Sequence, residues 1–360
     1  MSEVPPIGYL AIFAGAAILS LVLVPLALRL ALRLEVLDRP GGYKEQPAPV
    51  PYLGGMAIVV AFSAAVLAAA LIRPPVSGLP QLVVILVLAV LISLVGLLDD
   101  LRGLGVWPRL VVVVLAGAVL WRAGVAVDLF PHWSLDLAVT VLWVAGITHA
   151  LNLLDNMDGL SAGVAAIAAA FLGLIAALNG QFLVASLAAA LAGCALGFLR
   201  HNYHPARIYM GDAGSLFLGF MLAVLGIELT IPPSPIIASF VPILVLGVAI
   251  FDTALVTLGR LVHGRSPFQG GRDHVSHRLV RLGVPVRIAV GLIYAGAVGL
   301  GWLGVVMARL VDAVTAYLLL GFAVTTFIAL GAALGRVPVY DTDPPRSSRD
   351  TWSDTQPEGR

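Results

Sequence analysis

The sequence predicts an all-α fold, a polytopic integral membrane bundle of about 10–11 transmembrane helices. Three observations carry that reading. Of 360 residues, 60% are hydrophobic and only 11% charged, with a mean hydropathy of +1.00; an ordinary soluble domain carries roughly 25% charged residues. Apolar segments long enough to cross about 30 Å of hydrocarbon recur at 7–28, 53–72, 80–98, 109–127, 135–151, 159–178, 182–199, 214–231, 236–258, 288–307 and 311–335. Lys and Arg gather in alternate connections, as the positive-inside rule requires of a multi-pass chain.

Taken in order, each break has a local cause. MSEVPPIGYL lacks a positive leader region and runs into an apolar stretch too long for a signal peptide, so the first segment reads as a retained span. Arg73-Pro74-Pro75, Trp107-Pro108, Asn179-Gly180 and Ile231-Pro232-Pro233 carry turn chemistry. Pro242 falls inside a predicted span and is expected to kink it. From about Pro338 the chain turns polar. Residues 1–337 are therefore expected to form one transmembrane domain, and residues 338–360 a disordered cytoplasmic tail. Cys194, the single cysteine, lies in an apolar run and has no intrachain partner.

One set of connections holds Arg29, Arg33, Arg39 and Lys44, then Arg102 and Arg109, Arg200 and Arg207, and finally Arg260 through Arg287. The opposite set holds only Arg73, Arg122 and Arg309. The N-terminus is therefore expected outside, with every polar cluster on the cytoplasmic face. A net charge of +1 predicts no nucleic-acid partner.

His149 to Gly163, HALNLLDNMDGLSAG, places Asn152, Asp155 and Asp158 at intervals of three, which on a helix keeps them near one face. Such a stripe suits a cation or a sugar nucleotide, although either aspartate could equally cap the following helix. Asp99 and Asp100 end the third helix. Adjacent positions diverge by about 100°, so the two carboxylates can address different atoms, an arrangement suited to a base beside a metal. Acids at a helix C-terminus oppose the dipole, which argues against a merely solvated helix end.

Asp212, in Gly211-Asp212-Ala213-Gly214-Ser215, can hold a divalent ion while backbone N–H groups face phosphate, or it can simply cap the eighth helix. In the last loop Arg272, His274, His277 and Arg278 form a cationic, donor-rich group suited to an anionic diphosphate. Zinc is disfavoured there for want of a third soft ligand. Asp252 is expected to pair with Arg260 or to orient this loop. Lys44, in the first loop, is a candidate phosphate contact or one more positive-inside charge.

Together, Asp99-Asp100, the stretch ending Met157-Asp158-Gly159-Leu160, GDAGS at Gly211 and RDHVSHR at Arg272 resemble the polyprenyl-phosphate N-acetylhexosamine-1-phosphate transferases, the MraY, WecA and TagO family. The likeness spans the chain except its tail. PVPYLGG and the single His-x-x-His-Arg element are more similar to the WecA and TagO branch than to the muramoyl-pentapeptide branch. The sequence departs from that branch at Tyr43 and Gln46, where relatives carry arginine and histidine, so in this loop only Lys44 inherits a role.

The resemblance implies transfer of N-acetylhexosamine-1-phosphate, with N-acetylglucosamine the expected sugar, from a UDP-sugar to undecaprenyl or another polyprenyl phosphate, releasing UMP. This would be the first membrane step of a cell-envelope polysaccharide pathway, in the bacterial plasma membrane. It implies Mg²⁺, or Mn²⁺, held by Asp212 and Asn152. Asp99 or Asp100 would take the lipid phosphate proton or orient that phosphate. Asp155 and Asp158 would line the nucleotide pocket, and His274, His277 and Arg278 would hold the diphosphate or sugar. Muramoyl-pentapeptide transfer is the same chemistry on another sugar, and assembly as a homodimer stays open. A secondary transporter would place its ionisable groups at mid-membrane and show repeat symmetry. A CDP-alcohol phosphotransferase would need arginine where Gly163 stands.

Overall fold

The structure, a computed structural model, describes residues 6–38, 48–74, 77–231, 235–309 and 312–340. In chain order the elements are α1 (Pro6–Arg33), β1 (Leu37–Asp38), β2 (Val50–Pro51), α2 (Gly54–Ile72), α3 (Leu79–Arg102), α4 (Val106–Arg122), α5 (Trp133–Leu154), α6 (Leu160–Leu178) and α7 (Phe182–Asn202). There follow α8 (Gly211–Glu228), α9 (Pro235–Val245), α10 (Gly247–Val262), α11 (Val275–Arg281), α12 (Val286–Arg309) and α13 (Ala313–Gly335). Nine of the described helices are long and apolar enough to cross a membrane singly, and α9 with α10 makes a tenth as a bent pair. α4, with 17 residues, is the short member; at 1.5 Å per residue it reaches about 25 Å. The chain is an all-α, multi-pass membrane protein.

α8 is the centre of the bundle. In its apolar window 78% of residues are buried, against 11% in α13, so α8 packs on all sides while α13 faces lipid. Its neighbours come close where glycines face each other. A Cβ on Gly214 would meet Gly55 Cα at 2.7 Å, and one on Gly96 would meet Asp212 O at 2.5 Å and Ala213 N at 2.6 Å. α2 and α3 thereby lie backbone to backbone against the first turn of α8, the small-residue packing that membrane helices use where no hydrophobic force separates helix from lipid.

The kink expected in the 236–258 span is present, and two further features differ from the sequence expectation. The predicted span at 236–258 is two helices, bent by 73° around Leu246. Pro242 loosens the chain one turn earlier, and Gly247 lets the new helix start against Leu300 and Phe327, which a Cβ would meet at 3.1 and 3.2 Å. A two-stranded antiparallel pair, β1 with β2, closes the first loop, with Leu37 opposite Pro51 and Asp38 opposite Val50. Lys44 lies outside the described residues. Finally, α11 interrupts what read as a loop, and the chain after α13 stays packed through Tyr340, three residues into the expected tail.

Candidate active site

The amides at the start of α8 define the site. Met210, the residue before it, gives no side-chain cap, and the partner comes from α3: the Asp100 carboxylate accepts from Asp212 N at 2.9 Å and Ala213 N at 3.2 Å. A carboxylate there satisfies donors the helix cannot and sits at the positive end of its dipole. Tyr52 donates to Asp100 O at 2.8 Å. The stretch after β2 pairs with the residues before α8 through Tyr209 N to Pro51 O at 2.8 Å, Gly54 N to Tyr209 O at 3.0 Å and Gly55 N to Met210 O at 3.0 Å. The capping expectation for Asp212 is therefore corrected. Asp100 is the cap, which leaves the Asp212 side chain for other partners.

Those partners are Arg109 and Asn152. Arg109 Nη1 pairs with Asp212 Oδ2 and lies 3.1 Å from Asp99 Oδ2. Asn152 Nδ2, in the last turn of α5, donates to Asp212 Oδ1 at 2.8 Å and to Ser215 Oγ at 2.9 Å. Asp99 Oδ1 accepts from Gly105 N at 2.9 Å, fastening the α3–α4 turn. The two adjacent acids thus diverge as their helical phase requires: Asp99 toward the α4 guanidinium, Asp100 toward α8.

Asn152, Asp155 and Asp158 do not share a helix face. α5 ends at Leu154, Asp155 is its last cap, and the chain turns through Gly159 at φ 77° before α6. Only Asn152 keeps helical geometry, because Gly159 takes a left-handed conformation that a continuous helix excludes. Asp158 Oδ2 accepts from His204 Nδ1 at 2.8 Å and Ala206 N at 3.0 Å. Asn202 ties the same turn to the α7–α8 connection, accepting from Gly159 N and donating to Ile208 O, both at 3.0 Å. Asp155 stays inside this turn, where burial, then Asp100 and Asp158, push its carboxyl up to about 7.

The last loop is joined to that turn by Ser276, whose Oγ donates to Asn156 Oδ1 at 2.6 Å. Asp252 on α10 orients the loop, accepting from Val275 N and bonded to His274 Nδ1, each at 2.7 Å. Arg260 instead forks onto Asp273, with both bonds at 2.8 Å. Burial pushes the Asp273 carboxyl up, but Arg260 overrides it and the net shift is downward. His277 is half-buried, and burial, with His274 and Arg272 adding, lowers it to about 4. It is a neutral imidazole near pH 7, which corrects the expectation of a uniformly cationic group.

Arg278 is also corrected. It is 1% exposed and donates to Asp273 O at 2.8 Å, Leu334 O at 2.8 Å and Val337 O at 3.3 Å. A guanidinium already bonded to backbone carbonyls binds the chain to itself and offers no fork to a diphosphate. His274, 3% exposed and held by Asp252, likewise supports the loop. Of the four residues predicted there, Arg272 and His277 are the partly exposed ones.

Sequence reasoning counted Arg109 only as a topogenic charge. Its signal was its place in the first turn of α4, where a cation opposes the dipole and needs a nearby acid. Ser215, Asn156, Asn202 and His204 carried no distinguishing pattern, because each acts through a partner far away in sequence.

Among the described residues no group of three or more His, Cys, Asp or Glu could hold a metal ion. Asp212 and Ser215 nevertheless place two hard oxygens around the Asn152 amide, which would present its own oxygen to an ion by turning over; such a set suits Mg²⁺, an ion that keeps waters and takes one or two carboxylates plus substrate phosphates.

The sequence profile of glycosyl transferase family 4 matches residues 82–230, a stretch from α3 to α8 that contains Asp99, Asp100, Asn152, Asp155, Asp158 and Asp212. The chain is 31% identical over 284 residues, covering 76% of it and 78% of the relative, to a probable undecaprenyl-phosphate N-acetylglucosaminyl 1-phosphate transferase of Bacillus subtilis (strain 168). It is 34% identical over 317 residues, covering 77% and 76%, to the decaprenyl-phosphate N-acetylglucosaminephosphotransferase of Mycobacterium leprae (strain TN). It is 30% identical over 305 residues, covering 79% and 93%, to the phospho-N-acetylmuramoyl-pentapeptide-transferase of Geobacillus kaustophilus (strain HTA426).

Proposed function

Because the chain belongs to glycosyl transferase family 4, in its WecA/TagO-like branch, we propose that it transfers N-acetylglucosamine-1-phosphate from UDP-N-acetylglucosamine to a polyprenyl phosphate, releasing UMP. The observation that carries this reading is the convergence of Asp99, Asp100, Arg109, Asn152 and Asp212 at one end of the bundle, where α3, α4, α5 and α8 begin or stop. A secondary transporter has no use for acids gathered at helix ends.

The reaction must bring one phosphate against another. An oxygen of the lipid phosphate attacks the phosphorus that bears the sugar, and the bond from that phosphorus to the UMP oxygen breaks. Arg109 is the cation for this repulsion: its planar guanidinium lies between Asp99 and Asp212 and can trade a carboxylate for phosphate oxygens. Asp99 sits beside Arg109 at the surface of the α3–α4 turn, where it can orient the lipid phosphate or take its remaining proton. Asp100 keeps the α8 amides in place. Asp212 and Asn152 would hold Mg²⁺, which when bound supplies positive charge to the diphosphate.

The turn of Asp155 and Asp158 would face the nucleotide, with Arg272 and His277 contributed by the last loop. His277, uncharged near pH 7, acts as a hydrogen-bond partner to sugar or phosphate. The site lies on the cytoplasmic face of a bacterial plasma membrane, where a soluble UDP-sugar reaches it while the lipid enters from the side. Detergent-solubilised protein given labelled UDP-N-acetylglucosamine and undecaprenyl phosphate should form labelled lipid and UMP in equal amounts, and only with Mg²⁺. No product from this pair, with turnover on UDP-N-acetylmuramoyl-pentapeptide, would move the chain to the other sugar.

A further inference from the structure

The end of α13 and the five residues after it, Leu334–Tyr340 together, offer mostly backbone, and the last loop supplies arginines to meet it. Arg278 donates to Leu334 O and Val337 O, Arg281 to Pro338 O at 2.7 Å, and Arg265 to Tyr340 O at 2.9 Å. Tyr340 closes the array. Its hydroxyl donates to Asp273 Oδ2 at 3.0 Å, and its ring lies 4.4 Å from the His263 ring, centroid to centroid. The Arg265 and Arg278 guanidinium carbons stand 5.2 and 5.8 Å from its centroid. Burial first, then Asp273, pushes the hydroxyl up to about 12, so it remains a donor at every working pH.

The other side of α11 faces the substrate turn. Asp273, held by Tyr340 and Arg260, is followed directly by His274, which Asp252 holds. Ser276, 0% exposed, bonds Asn156 between Asp155 and Asp158, and His277 follows it. α11 is too short to be stable alone, and a helix of two turns takes its position from its fastenings. It has two sets of them: Asp252 and Asn156 on the side of the site, and the segment after α13 on the other. Removing the second leaves Arg278 with the Asp273 carbonyl alone of its three acceptors, which frees α11 to move out toward water.

We propose that Tyr340 is a positioning residue for the transfer reaction, the fastening point of a strap, Leu334–Tyr340, that holds α11 and His277 against the Asn156 turn. The proposal rests on the reading of α11 as part of the donor site. Two substitutions in the full-length protein test it. Tyr340→Phe keeps the ring and removes only the Asp273 bond, whereas Tyr340→Ala removes both. Donor KM should rise about tenfold in Tyr340→Ala and by an intermediate factor in Tyr340→Phe, the scale of one charge-assisted hydrogen bond. The kcat at saturating donor should stay within about twofold of wild type, since α11 is still reached once donor is bound.

A readout independent of turnover is alkylation of a Ser276→Cys thiol, compared with and without Tyr340→Ala, since that position is 0% exposed while α11 lies against the Asn156 turn and opens when α11 moves out; the native Cys194 is itself buried and gives little background. Tyr340→Ala should speed that alkylation about tenfold, with an unchanged unfolding midpoint. Unchanged alkylation and KM in Tyr340→Ala would make the strap a passive tail. A fall in unfolding midpoint and kcat at constant KM would make it a general stabiliser; either result overturns the proposal. Should wild type fail to use UDP-N-acetylglucosamine at all, the functional reading falls, and the alkylation contrast still decides whether the strap holds α11.

Discussion

Replacing Asp100 by asparagine separates a structural carboxylate from a chemical one. Asp100 accepts two amide bonds, from Asp212 N and Ala213 N, at the start of the most buried helix. Asparagine has one acceptor oxygen, so it keeps one bond and turns an NH₂ toward the other amide. The loss is one charge-assisted bond, about 1.5–3 kcal/mol, and a charge–dipole attraction of about 0.3–1 kcal/mol. The sum, about 2–4 kcal/mol, is a large part of the roughly 5–15 kcal/mol that separates folded from unfolded chains. Asp99 is different: it caps no helix, an asparagine oxygen can still accept from Gly105 N, and Arg109 keeps Asp212 when Asp99 is changed. Asp99→Asn should cost less stability than Asp100→Asn while depressing kcat. Unfolding midpoints in detergent, beside turnover on both substrates, give the comparison. If Asp100→Asn unfolds with wild type while losing all activity, the carboxylate serves substrate and not α8, and the capping argument is wrong.

Three further outcomes follow from the same geometry. Asp212→Asn should abolish turnover and flatten its Mg²⁺ titration, because the one charged oxygen beside Asn152 is gone; a normal titration would remove Asp212 from the ion's surroundings. The Asp155 carboxyl stands at about 7 in the folded chain against 3.8 for a free aspartate, so between those values the folded state holds the extra proton and stability falls as pH rises. Asp155→Asn should flatten the unfolding midpoint from about pH 4 to pH 7, and an unaltered pH slope would place its titration elsewhere. A cysteine at the exposed Gln269 should react with an impermeant maleimide only from the cytoplasm, and one at the exposed Asp128 only from outside. The opposite pattern would invert the topology.

The membrane class and nearly every helix were legible because hydrocarbon demands long apolar runs, and that demand is written in composition. The sequence also singled out residues that the fold brings together: Asp99, Asp100, Asn152 and Asp212 meet where the structure joins four helix ends. What it could not show was which partner each would choose. Asp212 and Asp100 look alike as acids at helix ends, yet one caps α8 and the other takes Arg109, a difference set by the close backbone approach at Gly96. The helical phase of Asn152, Asp155 and Asp158 was real only up to Leu154, since a left-handed glycine overrides periodicity. Arg278 misled for a related reason: nothing local reveals that its guanidinium is consumed by carbonyls 56 and 59 residues away.

The cap on α8 comes from a residue 112 positions earlier in the chain. During synthesis, therefore, the amides that organise the site have no partner until α3 is already lodged beside the arriving α8. Asn152, 60 positions before Asp212, must wait for the same event. A ribosome that has delivered the first seven helices has made Asp99, Asp100, Asp155 and Asp158 but no arrangement of them around Asp212. The cluster around Asp212 comes into being in one step, with the insertion of the helix on which α2, α3, α5, α6 and α7 pack.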